Sequence, residues 1–335
     1  MTTKSIISVG QITKGALVIS LDYELMWGCC EWSTPEVYGK SNVAHVPDVI
    51  HRMLELFHKY DVHATFATVG MIMLKNKEEA INMAPVKKPS YIRVEASPYS
   101  NNYIEQIKPQ HESMHFAPQQ VMALEADLNI EVGTHTFCHY YCWEPGQTID
   151  EFEADLQKAV EAARSLGITL RSIVFPKNQV SEAHLAVCAR YGLTSYRGNA
   201  LKYFDEPKSK WGGIKNRICR LLDAYINVGG MSSIPYDRLE RKGGMLNVCA
   251  SRMLRPYSSK LSFLEGLRLR RIRKEMIHAA RNGEMYHLWW HPHNFGENMG
   301  ENLRFLEKVL QTYKQCHEGY GMRSFTMNEI TKQLF

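Results

Sequence analysis

Two histidines, His135 and His139, are separated by three residues in the stretch EVGTHTFCHYYC, residues 131–142. Imidazole is the commonest neutral metal ligand in proteins, and this spacing can bring two rings to one side of a helical turn. A catalytic zinc-type site takes three protein ligands and keeps one position open. The pair therefore predicts a metal site on condition that another part of the chain supplies a carboxylate.

Carboxylates and further imidazoles occur near the two ends of the chain, as Asp22 and Glu24 and as His291 and His293. Residues i and i+2 of a strand share a face, so Asp22 and Glu24 can point into one cavity. Each of these groups, like His135, follows an apolar run of strand type. The carboxyl ends of parallel strands meet at one edge of the sheet, and active sites are usually located there. The sequence therefore predicts that the three groups converge.

Segments of strand type and helix type alternate along the chain. Apolar runs predict strands at residues 15–21, 63–69, 129–134, 171–176, 193–196, 245–254 and 285–290. Helical periodicity predicts helices at residues 46–60, 71–84, 117–128, 148–166, 181–191, 214–225, 263–282, 302–317 and 326–334. This alternation indicates an α/β architecture with a parallel sheet, and its length favours a barrel. Residues 1–335 are predicted to form a single (β/α) barrel domain with insertions near 87–117 and 200–245.

The composition is that of an ordinary globular protein, with 44% hydrophobic and 22% charged residues. A net charge of +5 over 335 residues is too small to indicate nucleic acid binding. The chain does not open on a basic segment followed by an apolar core, and no apolar run reaches the about 18 residues of a membrane span. These features favour a cytoplasmic location without a transmembrane segment.

The motifs of this chain resemble those of the polysaccharide deacetylases, which are carbohydrate esterases with a deformed (β/α) barrel. THTFCH at residues 134–139 is similar to the family's His-Ser/Thr-x-x-His metal motif, and LWWHP at 288–292 is similar to its late Leu-x-His motif. The resemblance extends from Gly15 to His291. It implies the family's deformed barrel, here with loop insertions.

Two positions depart from the family pattern. The family's first motif has two adjacent Asp residues, whereas Tyr23 follows Asp22 here, so that DYE at 22–24 fits a subset with Asp-x-Asp or Asp-x-Glu. FPKN at 175–178 stands where the family has Arg-Pro-Pro. The residues that can orient the base instead are Lys177, Asn178 and Arg197, with Arg255 as a further candidate for the base or the substrate.

The resemblance implies a divalent metal ion, with zinc expected. The expected metal ligands are Glu24, His135 and His139. Asp22 is the expected base, and an exchange of roles between Asp22 and Glu24 stays open. A bound metal lowers the pKa of water from about 16 towards about 7, so Asp22 can take up the proton of the attacking water. His291 is the expected acid that protonates the departing amine, and His293 can share this task.

The implied reaction is hydrolysis of an acetamido group on a sugar, with release of acetate and a free amine. A cytoplasmic location favours an N-acetylated intermediate of surface-polysaccharide assembly, such as an O-antigen, lipopolysaccharide or capsule precursor. The sugar can be carried on a nucleotide or a lipid, which allows peripheral contact with a membrane. Two alternatives stay open: a C–N hydrolase (an amidase) acting on a small amide, and a carbohydrate-binding relative that has lost catalysis.

A basic segment lies in the predicted helix at 263–282. Its cations are Arg268, Arg270, Arg271, Arg273, Lys274 and Arg281. A solvated helix face is the simplest explanation of such a segment. The functional alternative is attraction of a phosphorylated substrate or of an anionic membrane surface.

Overall fold

The computed structural model describes residues 12–200, 219 and 221–334. Within these residues ten strands form one sheet, in which β6 and β7 are antiparallel and the other neighbours are parallel. The strands are β1 Ala16–Tyr23, β2 Ala64–Thr68, β3 Ile130–Thr134, β4 Ser172–Val174, β5 Ser195–Arg197, β6 Arg241–Lys242, β7 Met245–Asn247, β8 Arg252–Met253, β9 Met285–Trp290 and β10 Arg323–Phe325.

Helices connect most of the parallel strands. They are α1 Val46–Tyr60, α2 Lys77–Met83, α3 Pro118–Glu125, α4 Ile149–Ser165, α5 Glu182–Arg190, α6 Glu265–Asn282, α7 Met299–Tyr320 and α8 Met327–Leu334. In α1 the residues Val49, Met53 and Phe57 are buried, which is the stripe that the periodicity predicts. α4 begins with a capping box formed by Thr148 and Glu151.

The sheet is curved, and its order is β6-β7-β5-β4-β3-β2-β1-β9-β8, with β10 paired to the first half of β1. Residues 245–254 form backbone hydrogen bonds with β5 near one end of the curved sheet and with β9 near the other. β7 pairs with β5, and further along the chain Ser251 N donates to the His287 carbonyl oxygen and Leu254 N to that of Trp289. The chain thereby links the β5 side of the sheet to β9, and the fold is the predicted deformed (β/α) barrel.

The inward-facing side chains of β1 change from apolar to polar along the strand. Ala16 and Val18 lie in a buried apolar cluster with Phe325 of β10 and the inner face of α8. Ser20 and Asp22 follow on the same face, since side chains alternate along a strand. The tail helix α8 therefore fills the amino end of the barrel, and polar groups are left at its carboxyl end.

Three predicted elements differ from those observed. β1 continues through Tyr23, so Asp22 lies inside the strand and not past its end. The predicted strand 245–254 is divided into β7 and β8, because the chain changes pairing partner between them. The predicted helix 71–84 is a 3-10 turn, Gly70–Met73, followed by α2.

The predicted insertion at 87–117 is irregular and contains two 3-10 turns, Val94–Ala96 and Pro109–Met114. It packs on the loop after β1, where Trp27 Nε1 donates to the His115 carbonyl oxygen at 2.7 Å. The predicted insertion 200–245 and helix 214–225 lie partly outside the described residues. In the described part of the chain, no helix combines the length and the apolar composition that crossing a bilayer requires.

Candidate active site

Glu24 lies at the centre of a group of imidazoles at the carboxyl edge of the sheet. Its Oε1 atom is 3.0 Å from His135 Nε2, 3.2 Å from His139 Nε2 and 3.4 Å from His291 Nε2. Glu24 directly follows β1, His135 directly follows β3 and His291 directly follows β9. The structure thus brings side chains from the early, middle and late parts of the chain together at one end of the barrel.

Both oxygens of Asp22 accept hydrogen bonds from Arg197. Arg197 Nη1 and Nη2 donate to Asp22 Oδ1 and Oδ2, each at 2.7 Å, and both side chains are buried. A planar guanidinium matches a carboxylate in this two-pronged geometry. Arg197 ends β5, and Asn178 Oδ1 accepts from its Nη2 at 3.2 Å. Arg197 therefore contacts the expected base directly, and Asn178 supports Arg197.

Ser20 and His287 hold Arg197 from inside the barrel. Arg197 Nη1 donates to Ser20 Oγ at 3.0 Å, the Ser20 hydroxyl donates to His287 Nε2 at 2.8 Å, and His287 Nδ1 donates to the Val248 carbonyl oxygen at 3.0 Å. This order of donors needs a neutral His287. Burial, together with the nearby Arg197, lowers the pKa of His287 to about 3. The guanidinium also stacks 4.3 Å from the ring centroid of Trp289.

Ser20 and His287 are parts of the site that the sequence motifs do not identify. A signal for both is present in the sequence, because inward-facing residues recur with period two. Ser20 is two residues before Asp22, and His287 is four residues before His291 with Trp289 between them. A polar residue inside an apolar strand run, in phase with a candidate catalytic residue, is the pattern that identifies them.

The loop that carries His139 has an unusual backbone, which Asp155 of α4 holds in place. Thr136 and His139 have φ angles of 66° and 62°, a left-handed conformation that costs a non-glycine residue about 1–2 kcal/mol. The Asp155 carboxylate accepts from two backbone N–H groups of this loop, at 2.8 and 3.0 Å. Burial raises the pKa of Asp155 to about 6, because these backbone donors offset the desolvation only in part.

Glu24 is packed against Gly28, at the end of the 3-10 turn Leu25–Gly28. A Cβ atom at Gly28 would lie 2.0 Å from Glu24 Oε2, which no real pair of atoms tolerates. Leu25, the first residue of the turn, has a φ of 49°. The sharp turn and the missing side chain at position 28 together leave room for Glu24 to face the imidazoles.

The charges of the site set the protonation states of its groups. Burial would raise the pKa of Asp22, but Arg197, His291 and His135 together outweigh burial and lower it. Burial would also raise the pKa of Glu24, but His291 and His139 lower it well below its ordinary value. For His291, burial would lower the pKa, and the carboxylates of Glu24 and Asp22 raise it above its ordinary value. Both carboxylates are therefore ionised at neutral pH, and protonation of His291 is favoured.

The other predicted supporting residues lie further from Asp22. Lys177 Nζ donates to Glu31 Oε1 at 2.7 Å and lies 3.8 Å from the ring centroid of Tyr141, at the rim of the barrel. Arg255 follows β8, and its carbonyl oxygen accepts a hydrogen bond from a side chain of α6. His293 is buried with its ring 5.0 Å from that of His291, and burial lowers its pKa to about 3. A neutral His293 is poorly suited to share the role of acid.

The cluster around Glu24 suits a divalent cation. His135 Nδ1 donates to a carbonyl oxygen of β4 at 2.7 Å, so Nε2 is the ring nitrogen that faces Glu24. A carboxylate oxygen and a lone pair 3.0 Å apart repel each other unless a proton or a cation lies between them. Burial lowers the pKa of His139, which disfavours a proton there. Among the residues that the structure describes, ligand atoms within 4.8 Å of one another occur in two sets, Glu24 with His135 and His139, and Glu24 with Asp22 and His291.

A curved parallel sheet with carboxylates and imidazoles at its carboxyl edge is consistent with the deformed (β/α) barrel of the polysaccharide deacetylases. The family model described as polysaccharide deacetylase matches residues 39–196, which contain His135 and His139 but not the ends of β1 and β9. Residues 39–196 thus match the polysaccharide deacetylase family, as the motifs predict, and the fold agrees with this match. No curated protein matches the chain.

The chain is similar to solved structures at low sequence identity. A Mycobacterium smegmatis protein provisionally described as a polysaccharide deacetylase is 12% identical, with a TM-score of 0.58 over 100% of this chain and 95% of that one. A family 4 carbohydrate esterase from Streptomyces lividans, solved with acetate, is 11% identical, with a TM-score of 0.41 over 92% and 91% of the two chains. A family 4 pseudoenzyme from Bacillus anthracis is 13% identical, with a TM-score of 0.44 over 97% and 67%.

Proposed function

We propose that this protein is a metal-dependent hydrolase that removes the acetyl group from an N-acetylated sugar. The observation that carries the proposal is a pair of buried carboxylates with different partners. Glu24 faces three imidazoles, whereas Asp22 is fixed by Arg197. The match of residues 39–196 to the polysaccharide deacetylase family model supports the same activity.

Glu24, His135 and His139 would hold the cation, for which we propose zinc. When bound, a divalent cation supplies a Lewis acid that acidifies water and polarises a carbonyl oxygen. The geometry favours Glu24 over Asp22 as the ligand. Both oxygens of Asp22 already accept from Arg197, while Glu24 Oε1 has imidazole nitrogens on several sides.

Asp22 and His291 would move the protons. Ionised Asp22 accepts a proton from the water that attacks the acetamido carbonyl carbon, and such a base typically contributes about 10²–10⁴-fold in rate. Arg197 keeps the Asp22 carboxylate directed into the cavity. His291, whose Nε2 is 3.6 Å from Asp22 Oδ2, donates a proton to the departing nitrogen as the C–N bond breaks. Acetate and a free amine leave.

The proposed substrate is a cytoplasmic precursor of a surface polysaccharide, of the O-antigen, lipopolysaccharide or capsule kind. Its sugar would be carried on a nucleotide or a lipid. Trp289 supports a sugar substrate, because its ring is partly exposed and lies 5.7 Å from the ring of His291. An aromatic ring held by Arg197 on one side is a rigid apolar surface on which a sugar ring can pack.

Acetate release is the measurement that tests this function. Protein loaded with Zn²⁺, Co²⁺ or Ni²⁺ is incubated with N-acetylglucosamine oligomers and with nucleotide-linked N-acetyl sugars, and acetate and free amine are quantified. We expect one metal per chain by elemental analysis. Glu24→Ala and His135→Ala should lose the metal, whereas Asp22→Asn should keep the metal and lose acetate release. Metal loss in Asp22→Asn with retention in Glu24→Ala would reverse the two roles.

Two other outcomes decide between the alternatives. Metal binding without acetate release from any acetylated sugar would favour a carbohydrate-binding relative that has lost catalysis. Turnover of small amides, with no turnover of acetylated sugars, would favour an amidase. His51→Ala, a change at an exposed histidine of α1, is the matched control and should alter neither metal content nor turnover.

A further inference from the structure

Helix α6 carries two kinds of basic residue. Arg268 and Arg271 are buried in ion pairs with carboxylates, so the basic segment is not the uniformly solvated face that its sequence suggests. Arg270, Arg273 and Lys274 are exposed, and among the described residues none of them has an ion-pair partner. Three uncompensated cations therefore lie within five residues on the outer side of the helix.

These three cations border a shallow groove of about 290 Å³ along α6, with Leu269 and Ile277 as apolar lining. Two large apolar side chains are exposed at the start of the helix, Phe263 just before it with 78% and Leu267 in its first turn with 42% of the surface accessible. Leu267, Arg270 and Lys274 follow the spacing of one helix face. The outer surface of α6 thus combines positive charge with apolar side chains that the rest of the described chain does not cover.

The apolar end of this surface lies towards the edge of the barrel that holds the candidate active site. β8 ends at the carboxyl edge of the sheet because it runs parallel to β9, which delivers His291 to that edge. The chain passes from β8 into α6, and α6 runs back towards the amino edge before β9 begins. Phe263 and Leu267 therefore lie at the end of the helix nearer to the site, and Arg281 lies at the far end.

We propose that Phe263, Leu267, Arg270, Arg273 and Lys274 form a docking surface for an anionic lipid bilayer. Each basic residue near an anionic membrane strengthens binding about fivefold, and exposed apolar side chains add to it by entering the headgroup region. A soluble phosphate compound would account for the cations but would leave Phe263 in water. The combination of charge and apolar surface is what selects a bilayer.

Sedimentation of the full-length protein with large vesicles tests the proposal. Vesicles of phosphatidylcholine are compared with vesicles that contain 30% phosphatidylglycerol, in 0.1 M salt. We expect binding to anionic vesicles to exceed binding to neutral ones by about tenfold or more, and 0.5 M salt to remove the difference. The triple variant Arg270→Glu, Arg273→Glu, Lys274→Glu should lower binding by about 100-fold or more. Phe263→Ser with Leu267→Ser should lower it by about tenfold.

A matched control reverses three exposed cations on other elements. Arg52→Glu, Lys75→Glu and Arg164→Glu change the net charge equally and should leave vesicle binding within about twofold. Circular dichroism checks that each variant is folded. Equal binding to neutral and anionic vesicles, equal loss in the control variant, or binding of a 20-nucleotide RNA in place of vesicles would overturn the proposal. Vesicle binding needs no turnover, so the result is independent of the proposed deacetylation.

Discussion

Two groups of buried arginines in this protein differ in how many hydrogen bonds their carboxylate partners accept. The side cluster, as we call it, joins Arg252 and Arg271 to Glu275 and Asp223 next to α6. The site pair is Arg197 with Asp22. Both place charges out of water, where removal of one partner leaves an uncompensated ion that costs several kcal/mol.

The carboxylate oxygens show the difference. Glu275 Oε1 accepts from Ser232 and Arg252 and forms an ion pair with Arg271, and Oε2 accepts from Arg252 and Tyr286, so both oxygens are saturated. Each oxygen of Asp22 accepts one bond, from Arg197, among the residues that the structure describes. Saturation suits a cluster that holds elements together. Spare acceptor capacity suits a carboxylate that must take up a proton.

Loss of a charge from the side cluster should cause the largest change in stability. Glu275→Gln leaves Arg252 and Arg271 with Asp223 as the remaining carboxylate, and we expect it to lower the free energy of unfolding by about 3–5 kcal/mol. Urea unfolding measures the loss. Metal content of the folded fraction should stay at the wild-type level, because the cluster lies outside the site.

A surface ion pair provides the control for that loss. Glu307→Gln removes the partner of Lys59 at the surface, and we expect no measurable change in unfolding. A side-cluster variant as stable as this control would show that the saturated hydrogen bonds around Glu275 contribute nothing to the fold.

Loss of the charge from the site pair should also appear in catalysis. Asp22→Asn keeps the shape of the side chain but removes the base, and we expect acetate release to fall by about 100–1,000-fold. The free energy of unfolding should fall as well, because Arg197 is left buried without its carboxylate partner, although Ser20 and Asn178 stay as acceptors. Acetate release by folded Asp22→Asn at the wild-type rate would remove the distinction between the two groups.

The elements with strong local patterns were predictable. α1 and β9 occupy the residues that periodicity and the apolar run predict. Burial of one helix face requires apolar residues at helical spacing, and burial of a whole strand requires a continuous apolar run. β8 and β10 have two and three residues, too few for any pattern, and they exist because β9 and β1 offer them partners. Such pairings depend on the curvature of the sheet and not on local sequence.

The residues of the candidate site were predictable to the same extent as the helices and strands. Asp22, Glu24 and His291 stand out because each interrupts or ends an apolar strand run. The choice of Arg197 over Lys177 as the partner of Asp22 could not be made from the sequence, because Arg197 is 175 residues from Asp22 and reaches it across the barrel. The burial of Arg268 and Arg271 was equally hidden, since their acidic partners depend on how α6 packs.

The packing of Gly28 against Glu24 gives a smaller, local test of the site. Gly28→Ala places a methyl group where Glu24 Oε2 now lies, so the carboxylate must turn away from the imidazoles. We expect metal affinity to fall by about 10–100-fold, the range typical of residues that orient a ligand, with little change in unfolding. Competition with a coloured chelator measures the affinity.

A glycine in open space is the control for Gly28. Gly266→Ala in α6 has nothing within 4 Å of the added Cβ, and it should leave metal affinity unchanged. Wild-type affinity in Gly28→Ala would mean that Glu24 does not need its observed position to hold the cation, and the proposed ligand set would have to be revised.

The two regions should also differ in their response to pH. Burial would raise the pKa of Glu275, but Arg252 and Arg271 outweigh it and lower that pKa, so Glu275 stays ionised and its stabilisation is lost only in more acidic solution. Asp155, behind the His139 loop, has no such cation, and burial raises its pKa to about 6. A carboxyl group with a raised pKa stabilises the fold below its unfolded pKa, and this stabilisation is lost as pH rises through about 6.

From pH 7 to pH 5 the free energy of unfolding should therefore rise by about 1 kcal/mol through Asp155, and urea unfolding of Asp155→Asn should lack this rise. Parallel pH profiles for the two proteins would mean that the backbone donors of the loop hold Asp155 ionised without help from a cation.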